Sequence, residues 1–118
     1  MPYKPLRGKD DFDEVFNKSI KRINSEHFKA LILINSNEFR LGMILPKKNI
    51  KLAVHRNYLK RTIRNLSIDV FAETKVSLLI VSKKRVLDFK KDKLRREIKT
   101  LLLNLTKKLN EENNYIFN

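Results

Sequence analysis

The run VSLLIV at 76–81 constrains the fold most tightly. It carries no charge, is too short for a helix of ordinary length, and reads as a strand buried in a core. Such a strand needs cover, and helices are what the rest of the chain offers. Two more apolar runs, FKALILIN (28–35) and FRLGMILP (39–46), are separated by Ser-Asn-Glu and read as a hairpin. Helical spacing appears three times. Phe12, Val15, Phe16 and Ile20 recur at i, i+3, i+4 and i+8 behind Asp10, Asp11, Asp13 and Glu14. Residues 54–72 carry Val54, Tyr58, Ile63, Leu66 and Val70 as an apolar back. From Asp88 onward, Leu94, Ile98, Leu101, Leu102, Leu105 and Leu109 mark a long amphipathic final helix. Residues 1–9, with Pro2 and Pro5, read as an extended basic arm, and 110–118 as a frayed tail. The order is α-β-β-α-β-α, an α+β fold with a small mixed sheet packed against helices. No repeat or linker divides residues 1–118, so a single domain is expected.

Composition narrows the function classes. Apolar residues make up 42% of the chain and there are only two glycines, which suits a packed globule and not disorder. The formal net charge is +14, from 27 Lys/Arg against 13 Asp/Glu, and a field of that sign points to a polyanionic partner. Cysteine is absent, which excludes disulfides and thiolate chemistry and leaves the redox compartment open. Runs such as ALILI (30–34) are far shorter than the roughly 20 residues of a membrane helix. The charged start MPYKPLRGKDDFDEVF has no apolar signal region, so the cytoplasm is the expected location and no membrane partner is implied.

Placement of the charge says more than its sum. Between Glu38 and Asp69 there is no acid, while Arg40, Lys47, Lys48, Lys51, Arg56, Lys60, Arg61 and Arg64 all fall there. On a helix, Asn57, Lys60, Arg61 and Arg64 follow i, i+3, i+4, i+7 and share one face, with Arg56 one step around. Like charges so stacked repel by a few tenths of a kcal/mol per pair, about 0.2–0.5, and a ligand that relieves this is the natural inference. Three of the nine arginines lie in residues 56–64, and the planar guanidinium fork suits phosphate oxygens better than lysine does. The run LPKKNIKLAV (45–54) places Lys47, Lys48 and Lys51 just before that helix, giving one continuous positive surface. The second basic cluster, KKDKLRREIK, has Asp92 and Glu97 interspersed and reads as a solvated face.

Catalysis is poorly supported. His27 and His55 are far apart in sequence, with no cysteine to complete a zinc set. His55 opens the basic helix and reads as a phosphate neighbour, not a general base. Asp88 and Asp92 start the final helix, and the acids at 10–14 favourably oppose a helix dipole without converging on a metal. Two glycines cannot build a phosphate-cradling loop. Phe12 and Phe16 read as core packing or as a stacking platform for single-stranded bases, and both roles can coexist. A nucleic-acid binder is expected.

The stretch HRNYLKRTIRN (55–65) resembles the signature of the bacterial ribonuclease P protein component: Arg-Asn-Arg, any residue, Lys-Arg, two residues, Arg. Arg56, Asn57, Lys60, Arg61 and Arg64 match it, and Tyr58 stands at the second arginine. LRGKDDFDEVF, FRLGMILPKK, AVHRN, SLLIVSKK and the closing leucine-rich helix are similar to the family's flanking segments in order, over about residues 5–109. Pro46 replaces a usual serine, the 47–53 loop is longer and lacks a glycine, and Leu31 stands where an aromatic is common. The resemblance implies a ribosomal-protein-like sandwich with a left-handed βαβ crossover, and a protein subunit that assists a catalytic RNA in removing the 5′ leader of precursor tRNA. It implies Mg²⁺ bound mainly by that RNA, no catalytic or metal-binding residue here, and no protein partner. By position, Lys47, Lys48, Lys51, Arg56, Asn57, Arg61 and Arg64 would meet the catalytic RNA. Phe12, Phe16 and Lys60 would bind the leader. The alternative is a structural RNA-binding protein of ribosomal type.

Overall fold

The computed structural model describes residues 3–35 and 37–113. In it VSLLIV belongs to the middle strand of a five-stranded sheet. That strand, β5 (Val76–Ser82), lies between β4 (Arg40–Ile44) and β3 (Phe28–Ile34). The full order is β1-β4-β5-β3-β2, with β1 (Lys4–Pro5) and β2 (Lys21–Asn24) at the edges. β1, β4 and β5 are parallel; β3 runs antiparallel to both β5 and β2. Flanked on both sides and covered on both faces, β5 buries every residue except Val81. This is why its sequence shows no polar alternation.

Helices cover the two faces unequally. α1 (Gly8–Lys18) lies on one face, where Leu31 of β3 and Leu79 of β5 meet Leu6, Val15, Phe12 and Phe16. α2 (Ala53–Phe71) and α3 (Lys91–Asn113) lie on the other, against Ala30, Ile32, Leu41, Leu78 and Ile80. The strand period of two sorts neighbouring residues into these two cores. α2 contributes Leu59, Ile63, Leu66 and Phe71, and α3 contributes a leucine-rich stripe from Leu94 to Leu109. Each such side chain, fully buried, is worth about 1.5–3 kcal/mol.

Several expectations change. The runs at 28–35 and 39–46 do not form a hairpin, because β5 inserts between them. Apolar residues on both faces mean that each run is covered above and below, and they do not specify which strand lies beside it. The hairpin joins β2 to β3 instead, through Ser25–His27. The arm is not free along its length: Lys4 N–H donates to the Phe39 carbonyl and Leu6 N–H to that of Leu41, both at 2.9 Å. Pro5, lacking an N–H, fits on an edge strand. Residues 1–2 of the arm, Ser36 of the presumed hairpin turn and 114–118 of the tail lie outside the described residues, while α3 continues through 110–113. Helix α1 ends before Ile20, which is exposed, and Val54 is 66% exposed and no part of the apolar back of α2.

The strand-to-helix corner explains both glycines. Gly8 has φ +69°, a left-handed conformation that side chains resist, and it lets the chain turn from β1 into α1. Asp11 then secures the first turn: its carboxylate accepts the Arg7 N–H at 2.8 Å and pairs with Arg40 of β4. Gly42 of β4 faces α1, and a Cβ there would stand 2.7 Å from Leu6 Cδ1 and 2.8 Å from Phe12 Cε1. Gly42→Ala is therefore expected to destabilise the fold by about 1–3 kcal/mol, read from urea unfolding. An unchanged midpoint would show that Leu6 and Phe12 yield freely.

Candidate nucleic-acid interface

The basic stripe of α2 is the reverse of its buried side. Leu59, Thr62, Ile63, Leu66, Ser67 and Phe71 face the core. That orientation turns Asn57, Lys60 and Arg61 fully outward and leaves Arg64 half-buried at the margin. Among the described residues, neither Lys60 nor Arg61 has an acid within ion-pair distance. Arg64 donates through Nε to the Tyr3 hydroxyl at 3.0 Å, which ties the start of the chain to this helix.

The turn before α2 is pinned from inside. Asn49 and Ile50 N–H both donate to the Pro46 carbonyl, at 2.9 and 3.1 Å. Asn49 is buried, donates through Nδ2 to the Ser82 carbonyl at 2.9 Å, and accepts the Val86 N–H on its own carbonyl. Arg56 Nη1 donates to the carbonyls of Ile50 and Lys51, both at 2.9 Å. With Ile50 also buried, the turn is held in shape while Lys47, Lys48 and Lys51 stay exposed. One nitrogen of Arg56 is thus committed to the loop. Preorganised cations lose less conformational freedom on binding an anion.

Tyr58 points away from the stripe. Its ring meets Phe89 edge-on, with centroids 6.1 Å apart, and Lys91 Nζ lies 5.2 Å over it. Its hydroxyl reaches the Lys91 carbonyl at 3.4 Å, and His55 stacks flat on the other side of this cluster, 3.8 Å from Phe89. Tyr58 and His55 therefore fasten α2 to the stretch leading into α3. The stacked ring gives His55 a packing role that sequence spacing does not disclose.

On the other face of the sheet, α1 covers the row Gly42, Leu79, Leu31 and leaves the next row less covered. Ile44, Val81 and Lys29 are paired in register across β4, β5 and β3, and all three are partly buried. Phe12 and Phe16, also partly buried, pack beside Ile44 and Val81. A shelf results that is apolar at Ile44 and Val81, basic at Lys29, and walled by two aromatic rings. Lys60, grouped with those rings in the sequence reading, stands in the α2 stripe, in the helix layer across the sheet from them.

A third meeting of charges was not legible in the sequence. Glu97 of α3 accepts from Ser25 Oγ, from the His27 N–H at 2.7 Å, and faces His27 Nδ1 at 2.8 Å. Burial alone would raise its pKa, but the hydrogen bonds from Ser25 and His27, with the imidazole charge, outweigh it and hold the carboxyl below its ordinary value. The partners lie 70 and 72 residues apart in sequence, beyond the reach of any local pattern. Among the described residues no three His, Cys, Asp or Glu side chains group to hold a metal ion, and no helix is long and apolar enough to cross a membrane.

The ribonuclease P family model matches residues 2–106. The chain is 35% identical over 97 residues to the ribonuclease P protein component of Buchnera aphidicola subsp. Acyrthosiphon pisum (strain APS), covering 72% of this chain and 84% of that one. It is 31% identical over 94 residues to that of Psychrobacter sp. (strain PRwf-1), covering 78% and 72%. Among solved structures, the Staphylococcus aureus RNase P protein superposes with a TM-score of 0.72 at 20% identity, over 86% of this chain and 94% of that one. The Thermotoga maritima RNase P protein gives 0.65 at 24% identity, over 89% and 96%. At those identities the two structures speak for the fold alone.

Proposed function

The chain belongs to the ribonuclease P protein family, whose members are components of a tRNA-processing enzyme that includes RNA, and from that premise we propose where the nucleic acids lie. The RNA of the complex rests on the α2 stripe and the 46–51 turn, with Lys47, Lys48, Lys51, Asn57, Lys60, Arg61 and Arg64 toward its phosphates. Arg56 acts there by shaping the turn. The 5′ leader of precursor tRNA lies on the shelf beside α1, with bases against Phe12 and Phe16. In this reading bond cleavage falls to the RNA and the Mg²⁺ it holds, as the family resemblance implies, and the protein's part is to hold and orient the two nucleic acids.

The observation that carries this reading is the α2 stripe itself. Its cations are stacked at helical spacing, Lys60 and Arg61 facing outward and Arg64 at the margin, and they lack acidic partners among the described residues. Isolated, that arrangement costs free energy; a phosphate backbone removes the cost.

Reconstitution tests the proposal. Added to a bacterial ribonuclease P RNA at low Mg²⁺, the chain is expected to restore cleavage of precursor tRNA; binding without cleavage would favour a structural RNA-binding role. The chain should also raise affinity for precursor tRNA at least about tenfold more than for mature tRNA, because stacking contributes roughly 1–3 kcal/mol per base. Equal gains for both would sink the leader assignment and leave the α2 assignment standing.

A further inference from the structure

We propose that the groove between α3 and the β2–β3 turn is a second RNA-binding site, which takes a phosphodiester strand of the complex's RNA away from the leader shelf. The inference rests on the RNA-complex reading above and extends it to a face of the protein outside the signature motif. The groove has a volume of about 710 Å³ and opens on the side of the sheet opposite α1.

Cations reach it from two elements. Lys84, Arg85 and Lys90 come from the β5–α3 connection, and Lys93 and Arg96 from α3 itself. Its three acids are already engaged. Glu97 is held by Ser25 and His27; Glu26 lies 3.7 Å from Lys84 and 3.6 Å from His27 Nε2; Asp88 lies 3.8 Å from Lys90. Arg85, Lys93 and Arg96 remain, exposed and with no acid within ion-pair distance among the described residues. Uncharged side chains complete the lining. Thr100 and Asn104 follow Lys93 and Arg96 along one edge of α3, over a floor of Leu94 and Leu101, and Leu87 stands 86% exposed at the rim. Phosphates on the rim and a base over Leu87 match that division of polar and apolar surface.

Continuity selects a polymer over a small phosphorylated compound. Arg85 and Leu87 also line the hollow bounded by Asn49, Lys51, Leu52 and His55. That hollow adjoins the turn presenting Lys47 and Lys48. One strand can therefore run from the α2 stripe, over the 83–90 connection, into the α3 groove. The cluster of His55, Phe89, Tyr58 and Lys91 holds the two segments in fixed relation.

The test uses the intact chain with a bacterial ribonuclease P RNA. Arg85→Ala, Lys93→Ala and Arg96→Ala combined should lower the slope of log affinity against log salt by about 1–3, given a slope of roughly 0.7–0.9 per phosphate contact. Because the chain has no cysteine, Thr100→Cys can carry a tethered iron–EDTA group, and Asn57→Cys serves as the reference on α2. Localised RNA cleavage from position 100, at nucleotides distinct from those cut from position 57, is expected. Cleavage from 57 alone, with an unchanged salt slope in the triple variant, overturns the groove and leaves the α2 reading intact; the groove would then suit an acidic protein segment. Cleavage from neither position overturns both.

Discussion

Replacing Arg61 and Arg64 together by alanine is expected to weaken assembly with ribonuclease P RNA about fiftyfold at about 0.1 M salt and to lower the salt slope by about 1.4–1.8. The magnitude follows from counterion release. Each phosphate contact contributes roughly 0.7–0.9 to the slope, so at about 0.1 M each is worth nearly a factor of ten. The two residues are not equivalent, however. Arg61 is exposed and makes no hydrogen bond within the described chain, whereas Arg64 Nε also holds the Tyr3 hydroxyl. Tyr3→Phe separates the two roles of Arg64, because it removes that bond and keeps the guanidinium. Its salt slope should match that of the unmodified protein. Filter binding over a salt series reads both quantities, and an unchanged slope for Arg61→Ala would exclude that side chain from the RNA surface.

Glu97→Ala should be the most damaging single change to stability outside the apolar core, at about 3 kcal/mol. The carboxylate satisfies Ser25 Oγ and the backbone N–H of His27 and orients its ring, at a site where the Glu97 and His27 side chains are each only 16% exposed. Each partly buried donor left without a partner costs about 1–3 kcal/mol. Glu97→Gln keeps one acceptor oxygen and should lose less. The effect depends on pH in a defined direction. The folded-state pKa of Glu97 lies below the ordinary value, so its contribution is complete above the unfolded-state pKa of about 4.3 and is lost as pH falls through the depressed folded value. Urea unfolding of the two proteins should therefore show a full difference at neutral pH and a shrinking one in acid. A difference that persists unchanged below the folded pKa would assign the loss to packing, not to the charge.

How far the sequence discloses this molecule depends on the range of the interactions involved. The helices were legible from periodicity, with ends shifted by one to four residues: α1 stops at Lys18, α2 spans Ala53–Phe71 and α3 spans Lys91–Asn113. Local spacing also placed Asn57, Lys60 and Arg61 on one exposed face, because the helix period alone decides that. Strand partners were not legible. Nothing within residues 28–46 indicates that β5, three dozen residues onward, separates the two runs. Two-residue β1 and four-residue β2 carry too few positions for a period to show. Val54 matched an apolar stripe by residue type and yet faces solvent, because α2 turns its core side from Leu59 through Phe71. The loop-holding role of Arg56 and the union of Glu97 with His27 required the tertiary fold. The sequence marks both only as charges.

The central place of β5 also bears on how the chain is made. β3 and β4 each reserve one edge for a strand that is synthesised after both of them, and β4 ends 38 residues before β5 does. At about 5–20 residues per second, a nascent chain holds those two apolar edges open for roughly 2–8 seconds. Open edges of this kind pair readily with neighbouring chains on a polysome. Between Glu38 and Asp69 the chain is basic throughout, so in that interval the emerging segments repel one another. The cations proposed to hold RNA in the finished protein would thus already be keeping nascent copies apart.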